Sequence, residues 1–345
     1  KGNNYGDYHA TNVTRILAGS HGVVPKAKVY TSHSNIATEP EIEKLIELGV
    51  SIINMSLAYE RPNGDYYTTF EKWIDHISYQ HKVTVVFATG NVSKLKTTTV
   101  GGGAMAYNVL TVGGLNTYDT ASFSDDIFES DSCFANGGSK GCAKPECIAA
   151  YNDVLEEGID GTSFAAPAVT GVCAQVIQTD PYLATQPQIV KAIIMASCDR
   201  KGSEDYAKGL TAKEGSGVVN AQKAIIIAST ERYEFVRTFP YTGSRIAQID
   251  FVKRGNTSKL AVCWETHSRI SKDDHSEPYD ADSQGCFNYD LEVYSSSGKL
   301  LKESTVYNSS SEVVVFNSEN DKLYINCNNY YASSNTYYEI GIAWY

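Results

Sequence analysis

Apolar residues run through the first two-thirds of the chain in two alternating rhythms. Residues 50–55, 83–88 and 109–112 are apolar almost throughout, the pattern of strands buried on both faces. Amphipathic or apolar stretches of helical length lie between and after them: 11–18, stopped by Gly19, then 40–48, 68–81, 168–177, 187–196 and 220–228. Proline opens the 40–48 stretch and Gly49 follows it, the usual asymmetry of helix ends. Residues 22–30 read as a turn and then a strand. Strands of this kind alternating with helices predict an α/β fold whose mostly parallel sheet is covered on both sides.

The rhythm changes between residues 230 and 235. Beyond it no convincing helix is found, and strands are expected at 246–252, 259–265, 290–294, 312–316, 322–327 and 337–345. Turn residues such as Ser297-Gly298-Lys299 and Asn256-Thr257 separate them. Short strands so spaced predict an all-β sandwich, jelly-roll-like in character. The chain is therefore expected to divide into residues 1–232, an α/β domain, and residues 233–345, a β-sandwich domain. Its 345 residues leave room for both with a substantial core.

Composition narrows the partners. A net charge of −11 argues against nucleic acid or an anionic membrane surface. No apolar run approaches the ~20 residues of a membrane span, and no basic cluster, zinc-ligand spacing or P-loop is present. Of eight cysteines, Cys133, Cys142 and Cys147 share one glycine-rich stretch, and Cys173 and Cys198 fall in predicted helices as buried thiols. Cys263, Cys286 and Cys327 lie in the last third, where Cys263 and Cys286 could pair if their strands do. The redox compartment stays open.

The chemistry concentrates at Gly161-Thr162-Ser163-Phe164-Ala165-Ala166-Pro167. Gly161 permits a tight turn, the alanines permit close packing, and Pro167 suits a helix start. Ser163 is thereby expected at a helix N-terminus, among free N–H donors and the positive end of the dipole. A Thr-Ser pair before a helix is ordinarily a cap. The whole heptapeptide, however, resembles the nucleophile motif of the subtilisin-like serine proteases, Gly-Thr-Ser-x-Ala-x-Pro. His9-Ala10-Thr11-Asn12-Val13 resembles the same family's histidine motif, and Asn54-Met55-Ser56-Leu57-Ala58 its substrate-pairing strand. Ala88-Thr89-Gly90-Asn91 resembles the segment bearing the oxyanion asparagine. Residues 108–113, 121–124 and 215–221 match further family segments, so the likeness spans 5–230.

The resemblance implies a subtilisin-like three-layer fold and a serine endopeptidase. Ser163 would be the nucleophile and His9 the base that takes its proton. Asn91 and the Ser163 N–H would donate to the oxyanion. Ser56, Leu57 and Ala58 would pair with an extended peptide, and Gly101, Gly102 and Gly103 fall where the family builds its primary specificity pocket. His21 and His33 miss the motif position.

Three departures shape the expectation. The family's aspartate lies on a strand a few tens of residues before the histidine, and here eight residues precede His9. Asp7 has no family precedent in that role. The reading adopted is that a separate, non-covalently bound N-terminal chain, released by cleavage of a zymogen, supplies the carboxylate; a truncated sequence and a non-catalytic relative are the alternatives. Residues 125–147 form an insertion foreign to the simplest members: a lid, a partner contact or a decorated loop. The family's long calcium loop is absent between Gly19 and Gly22, so no cofactor is expected, although the acidic stretch 273–282 has the ligands calcium prefers. The last third resembles, more weakly, the sandwich appended to some subtilases, through Leu260-Ala261-Val262-Cys263-Trp264 and residues 288–294.

Two other functions compete. Gly161-Thr162-Ser163-Phe164-Ala165 nearly fits the Gly-x-Ser-x-Gly elbow of α/β-hydrolases, but that order places the histidine after the serine. A pseudoprotease serving as a binding module would keep the fold and lose reaction at Ser163. Export from the cell is expected from the family, with a cytoplasmic location as the alternative.

Overall fold

The computed structural model of the chain describes residues 5–32, 39–60, 67–134, 143–152, 154–155, 158–199, 209–238, 244–253, 258–266, 289–306, 309–329 and 338–345. The first region comprises α1 (Tyr5–Ala18), α2 (Glu39–Glu47), β1 (Ile52–Met55), α3 (Thr69–His81), β2 (Thr84–Ala88), α4 (Val92–Leu95), β3 (Leu110–Asn116), β4 (Ile127–Phe128) and β5 (Cys147–Ala150). It continues with α5 (Thr162–Thr179), α6 (Pro187–Ser197) and α7 (Ala221–Ser229). Strands β1, β2, β3 and β5 pair in parallel, and β4 closes antiparallel on the end of β3. All five residues of β2 are buried, as its unbroken apolar run requires of a central strand. At the other extreme, β1 ends the strand order, and its Ile52 and Asn54 stay half-buried.

The second region is all antiparallel. It comprises β6 (Tyr233–Thr238), β7 (Ser244–Phe251), β8 (Ser258–Trp264), β9 (Tyr289–Tyr294), β10 (Leu300–Ser304), β11 (Ser311–Phe316), β12 (Asp321–Asn329) and β13 (Tyr338–Trp344). Two four-stranded sheets, β10-β9-β12-β7 and β11-β8-β13-β6, enclose a core that includes Leu260, Trp264, Leu291, Leu323 and Ile340. The architecture is thus α/β with a mostly parallel sheet, followed by antiparallel sheets.

The two regions meet at α6. All eleven residues of this helix are buried, because a helix apolar all round must be covered on every side. One face lies in the core under the parallel sheet, and another reaches Ala261, Cys263, Val313 and Ala343 of the second region. Gly341 is required there: a Cβ would lie 2.6 Å from the Gln188 backbone. The buried Lys191 of α6 is neutralised by Glu146 at 2.7 Å and donates to Tyr107 O and Ser310 Oγ, tying three segments together.

Several expected elements change. α1 starts at Tyr5, so His9 sits inside the helix and does not precede it; packing of α1 on α5 sets this end. No strand forms in residues 22–30. A strand exists only where a neighbour completes its ladder, and among the described residues nothing pairs with Ala27–Tyr30. α5 begins at Thr162, ahead of the expected 168, and Pro167 lies inside it. The elements α4, β4, β5, β6 and β10 are not among those expected from the sequence. His33, Cys142, Cys286 and the acidic stretch 273–282 lie outside the described residues. The six described cysteines are free thiols. Among the described residues, no helix is long and apolar enough to cross a membrane.

Candidate active site

Gly161 is the N-cap of α5 at φ 153° and ψ 151°, backbone that a side chain disfavours. The turn it makes leaves Ser163 half-buried in the first helical turn, where N–H groups have no partner within the helix. Pro167 then acts in a way its position at a helix start would not allow. An α-helix pairs the carbonyl of residue 163 with the N–H of residue 167, and proline has none. The freed Ser163 carbonyl accepts instead from Ser56 Oγ at 2.7 Å. Ser163 Oγ in turn donates to the Ser56 carbonyl at 3.3 Å. Ser56 is itself held by Asn54 Nδ2 at 2.9 Å, and Asn54 Oδ1 by Thr170 Oγ1 at 2.9 Å. The nucleophile candidate is thereby pinned to the end of β1.

Asn91 follows the buried strand β2 and caps α4. Its Oδ1 accepts from Thr162 N at 3.3 Å and Thr162 Oγ1 at 2.9 Å. Its Nδ2 donates to Tyr151 Oη at 2.8 Å and, at the long distance of 3.5 Å, to Asp131 Oδ2. Asn91 and Ser163 thus stand on one frame, joined through the residue just before the serine. The described part of the 125–147 insertion belongs to this frame: Ser132 bridges Asn91, Val92 N donates to Asp131 O at 2.7 Å, and Cys133 N to Gly90 O at 3.0 Å.

His9 approaches from the other side. Its ring lies 5.6 Å from that of Phe164, the neighbour of Ser163, at an interplanar angle of 49°. Burial lowers its pKa below 6.5, so the imidazole is neutral at neutral pH and able to accept a proton. Among the described residues no carboxylate hydrogen-bonds this ring; the Asp7 side chain lies outside them. His9 also lines a cavity of 670 Å³ bounded by residues 27–32, by β1 from Ile52 to Met55, and by Thr170 and Ala174 of α5.

The expected substrate-side residues converge as well. Ser56, Leu57 and Ala58 leave β1 as open chain. Gly101 N donates to Thr89 O and Gly102 N to Tyr59 O, placing both glycines beside that chain. A Cβ on Gly101 would lie 2.6 Å from the Ala58 methyl, so this methyl fills the space the glycine leaves.

Tyr151 and Asp131 were not singled out in the sequence, and Thr162 entered only as part of the motif around Ser163. Tyr151 and Asp131 are 60 and 40 residues from Asn91 along the chain, and no local pattern marks either one.

Compared with known families, residues 2–272 match the subtilase family. Among solved structures, the chain is similar to the patellamide maturation protease PatA, at 21% identity and a TM-score of 0.50, over 65% of this chain and 84% of that one. It is also similar to the prenylagaramide maturation protease PagA, at 24% identity and a TM-score of 0.48, over 63% of this chain and 81% of that one. At such identities the likeness is one of fold.

Proposed function

The chain belongs to the subtilase family of serine proteases, and from that premise we propose that it is an endopeptidase working through an acyl-enzyme on Ser163. His9 takes the Ser163 proton as Oγ attacks the peptide carbonyl, then gives it to the departing amine. The Ser163 N–H and the Asn91 amide donate to the oxyanion of each tetrahedral intermediate. Water, deprotonated by His9, attacks the acyl carbonyl and carries the acyl group away as the acid, while His9 returns the proton to Ser163 Oγ. The substrate lies extended along Ser56, Leu57 and Ala58, with Gly101 and Gly102 beside its side-chain pocket. The observation that carries this reading is the bonding of Thr162 to Asn91 Oδ1, which fixes oxyanion donor and nucleophile in one frame.

The reading needs an acid to orient His9. We assign it to a non-covalently bound N-terminal chain that adds as a strand between β1 and residues 27–32. The cavity there supports this, since it follows the β1 edge and reaches the His9 ring. Export from the cell and maturation by self-cleavage belong to the same reading, as does a division at residue 232 into catalytic and sandwich domains.

The test uses protein purified from the full-length native gene, treated with a fluorophosphonate probe, with intact masses taken of every chain. Labelling at Ser163 with a smaller chain co-purifying is the expected result. Absence of labelling with that chain bound overturns the reading and leaves a pseudoprotease that serves as a binding module.

A further inference from the structure

The Asn91 amide is more tightly held than a turn residue requires, and the direction of every bond around it is determined. Thr162 N–H can only donate, so the side-chain atom facing it is the Asn91 oxygen, and the NH₂ group faces Tyr151. An ionised carboxylate can only accept, so Tyr151 Oη donates to Asp131 Oδ2, at 2.5 Å, and must receive from Asn91. The result is a one-way chain, carboxylate to phenol to amide, whose one short bond from Asn91 Nδ2 is to Tyr151 Oη at 2.8 Å. The 3.5 Å contact to Asp131 Oδ2 is at the limit of a hydrogen bond, so it is the bond this amide would exchange for a developing oxyanion.

Each link is anchored in turn. Asp131 accepts from Ser93 N at 2.6 Å and Ser93 Oγ at 2.9 Å. Burial pushes its pKa up, but the donors from Tyr151 and Ser93 outweigh this and hold the carboxyl below the ordinary range, so it is ionised at neutral pH. Tyr151 is buried, and its ring lies so close to Gly114 that a Cβ there would sit 2.6 Å from a ring carbon. Its backbone bonds both ways, N to Leu115 O at 2.9 Å and O from Gly161 N at 3.0 Å, so it spans from the sheet to the turn before Ser163.

We propose that Asp131 and Tyr151 are positioning residues that hold the Asn91 amide in register for the oxyanion, and that this is the contribution of the inserted segment 125–134 to the reaction. The inference rests on the endopeptidase reading above. A donor preset in direction stabilises charge without reorganising as the charge appears. Loss of the tyrosine hydroxyl frees the amide to rotate and pair with solvent, which weakens the transition state more than the bound substrate.

The experiment is a double-mutant cycle on the full-length protein with a peptide substrate. Tyr151→Phe keeps the ring against Gly114 and removes only the hydroxyl. It is expected to lower kcat about tenfold with KM within about twofold, whereas Asn91→Ala lowers kcat about 10²–10³-fold. In the Asn91→Ala background Tyr151→Phe is expected to cost nothing further, because its effect passes through Asn91. Asp131→Asn, at the far end of the chain, should reproduce the Tyr151→Phe loss. An unchanged kcat in Tyr151→Phe overturns the proposal, and so does an equal loss in both backgrounds, which would mark a general structural role. A wild-type protein that neither cleaves peptide nor labels at Ser163 overturns the endopeptidase reading, and this inference with it.

Discussion

The two sides of Ser163 are built to different standards. On the Asn91 side the hydrogen bonds have fixed directions: Thr162, Tyr151, Asp131 and Ser93 join Asn91 in one chain anchored on β2, β5 and the insertion. On the His9 side the base stands on α1 beside a 670 Å³ cavity, with an aromatic neighbour and, among the described residues, no carboxylate hydrogen-bonded to its ring. The first side needs only residues of this chain to be complete. The second has a base with the right charge state and nothing described to set its tautomer. Electrostatic stabilisation and nucleophile activation are separable tasks, and here the fold itself supplies the first more fully than the second.

The largest effects test whether both sides serve one reaction. Ser163→Ala and His9→Ala are each expected to lower kcat by about 10⁶-fold, read as peptide hydrolysis by the full-length protein. A His9→Ala enzyme of near-normal turnover would remove the second side from the comparison.

Next in size is the acid. Separating the proposed N-terminal chain under mild denaturant should lower turnover by about 10⁴-fold, and adding it back should restore the rate. Retention of full activity without it would mean that His9 is oriented from within residues 1–345.

The pH dependence sharpens the same contrast. Neutral His9 is the base, so labelling of Ser163 falls as pH drops through the His9 pKa. Burial sets that pKa below 6.5 in the chain alone. A bound carboxylate favours the imidazolium and raises the pKa. The acid limb of the labelling profile is therefore expected to move to higher pH when the N-terminal chain is present, and an unmoved limb would show that no acid has reached the ring.

The smallest effect lies at the seam between the sides. Ser56→Ala leaves the Ser163 carbonyl without its donor and is expected to cost about 1 kcal/mol of stability in urea unfolding. Pro167→Ala restores an N–H opposite that carbonyl. The double substitution should therefore cost less than the sum of the two single ones, and strict additivity would mean that the two donors do not compete for one acceptor.

Much of this frame was legible in the chain. The unbroken apolar run at 83–88 gave a central strand, and Asn91 directly after it followed as a residue at the strand's end. Gly161 announced a turn, and its φ of 153° is the reason. The strand expected within 22–30 did not form, since Lys28-Val29-Tyr30 has strand propensity but needs a neighbour across the cavity to complete its ladder. Pro167 was read as a helix opener from its residue type. The helix begins earlier, and the proline's missing N–H matters because of what it leaves free at Ser163.

What the sequence determined by itself was local: where backbone must turn, which runs must be buried, and which residue types carry acid–base and nucleophilic chemistry. Those properties depend on a residue and its near neighbours, through allowed dihedral angles and periodicity. Only the tertiary structure decided which polar groups meet. Tyr151 reaches Asn91 because β5 leads from the parallel sheet towards the Gly161 turn, and Asp131 reaches Tyr151 because the insertion folds back along residues 90–92. Hydrogen bonds require placement within a few tenths of an ångström. Across forty or sixty residues that placement is set by the packing of the whole sheet, so no short stretch of sequence can announce it.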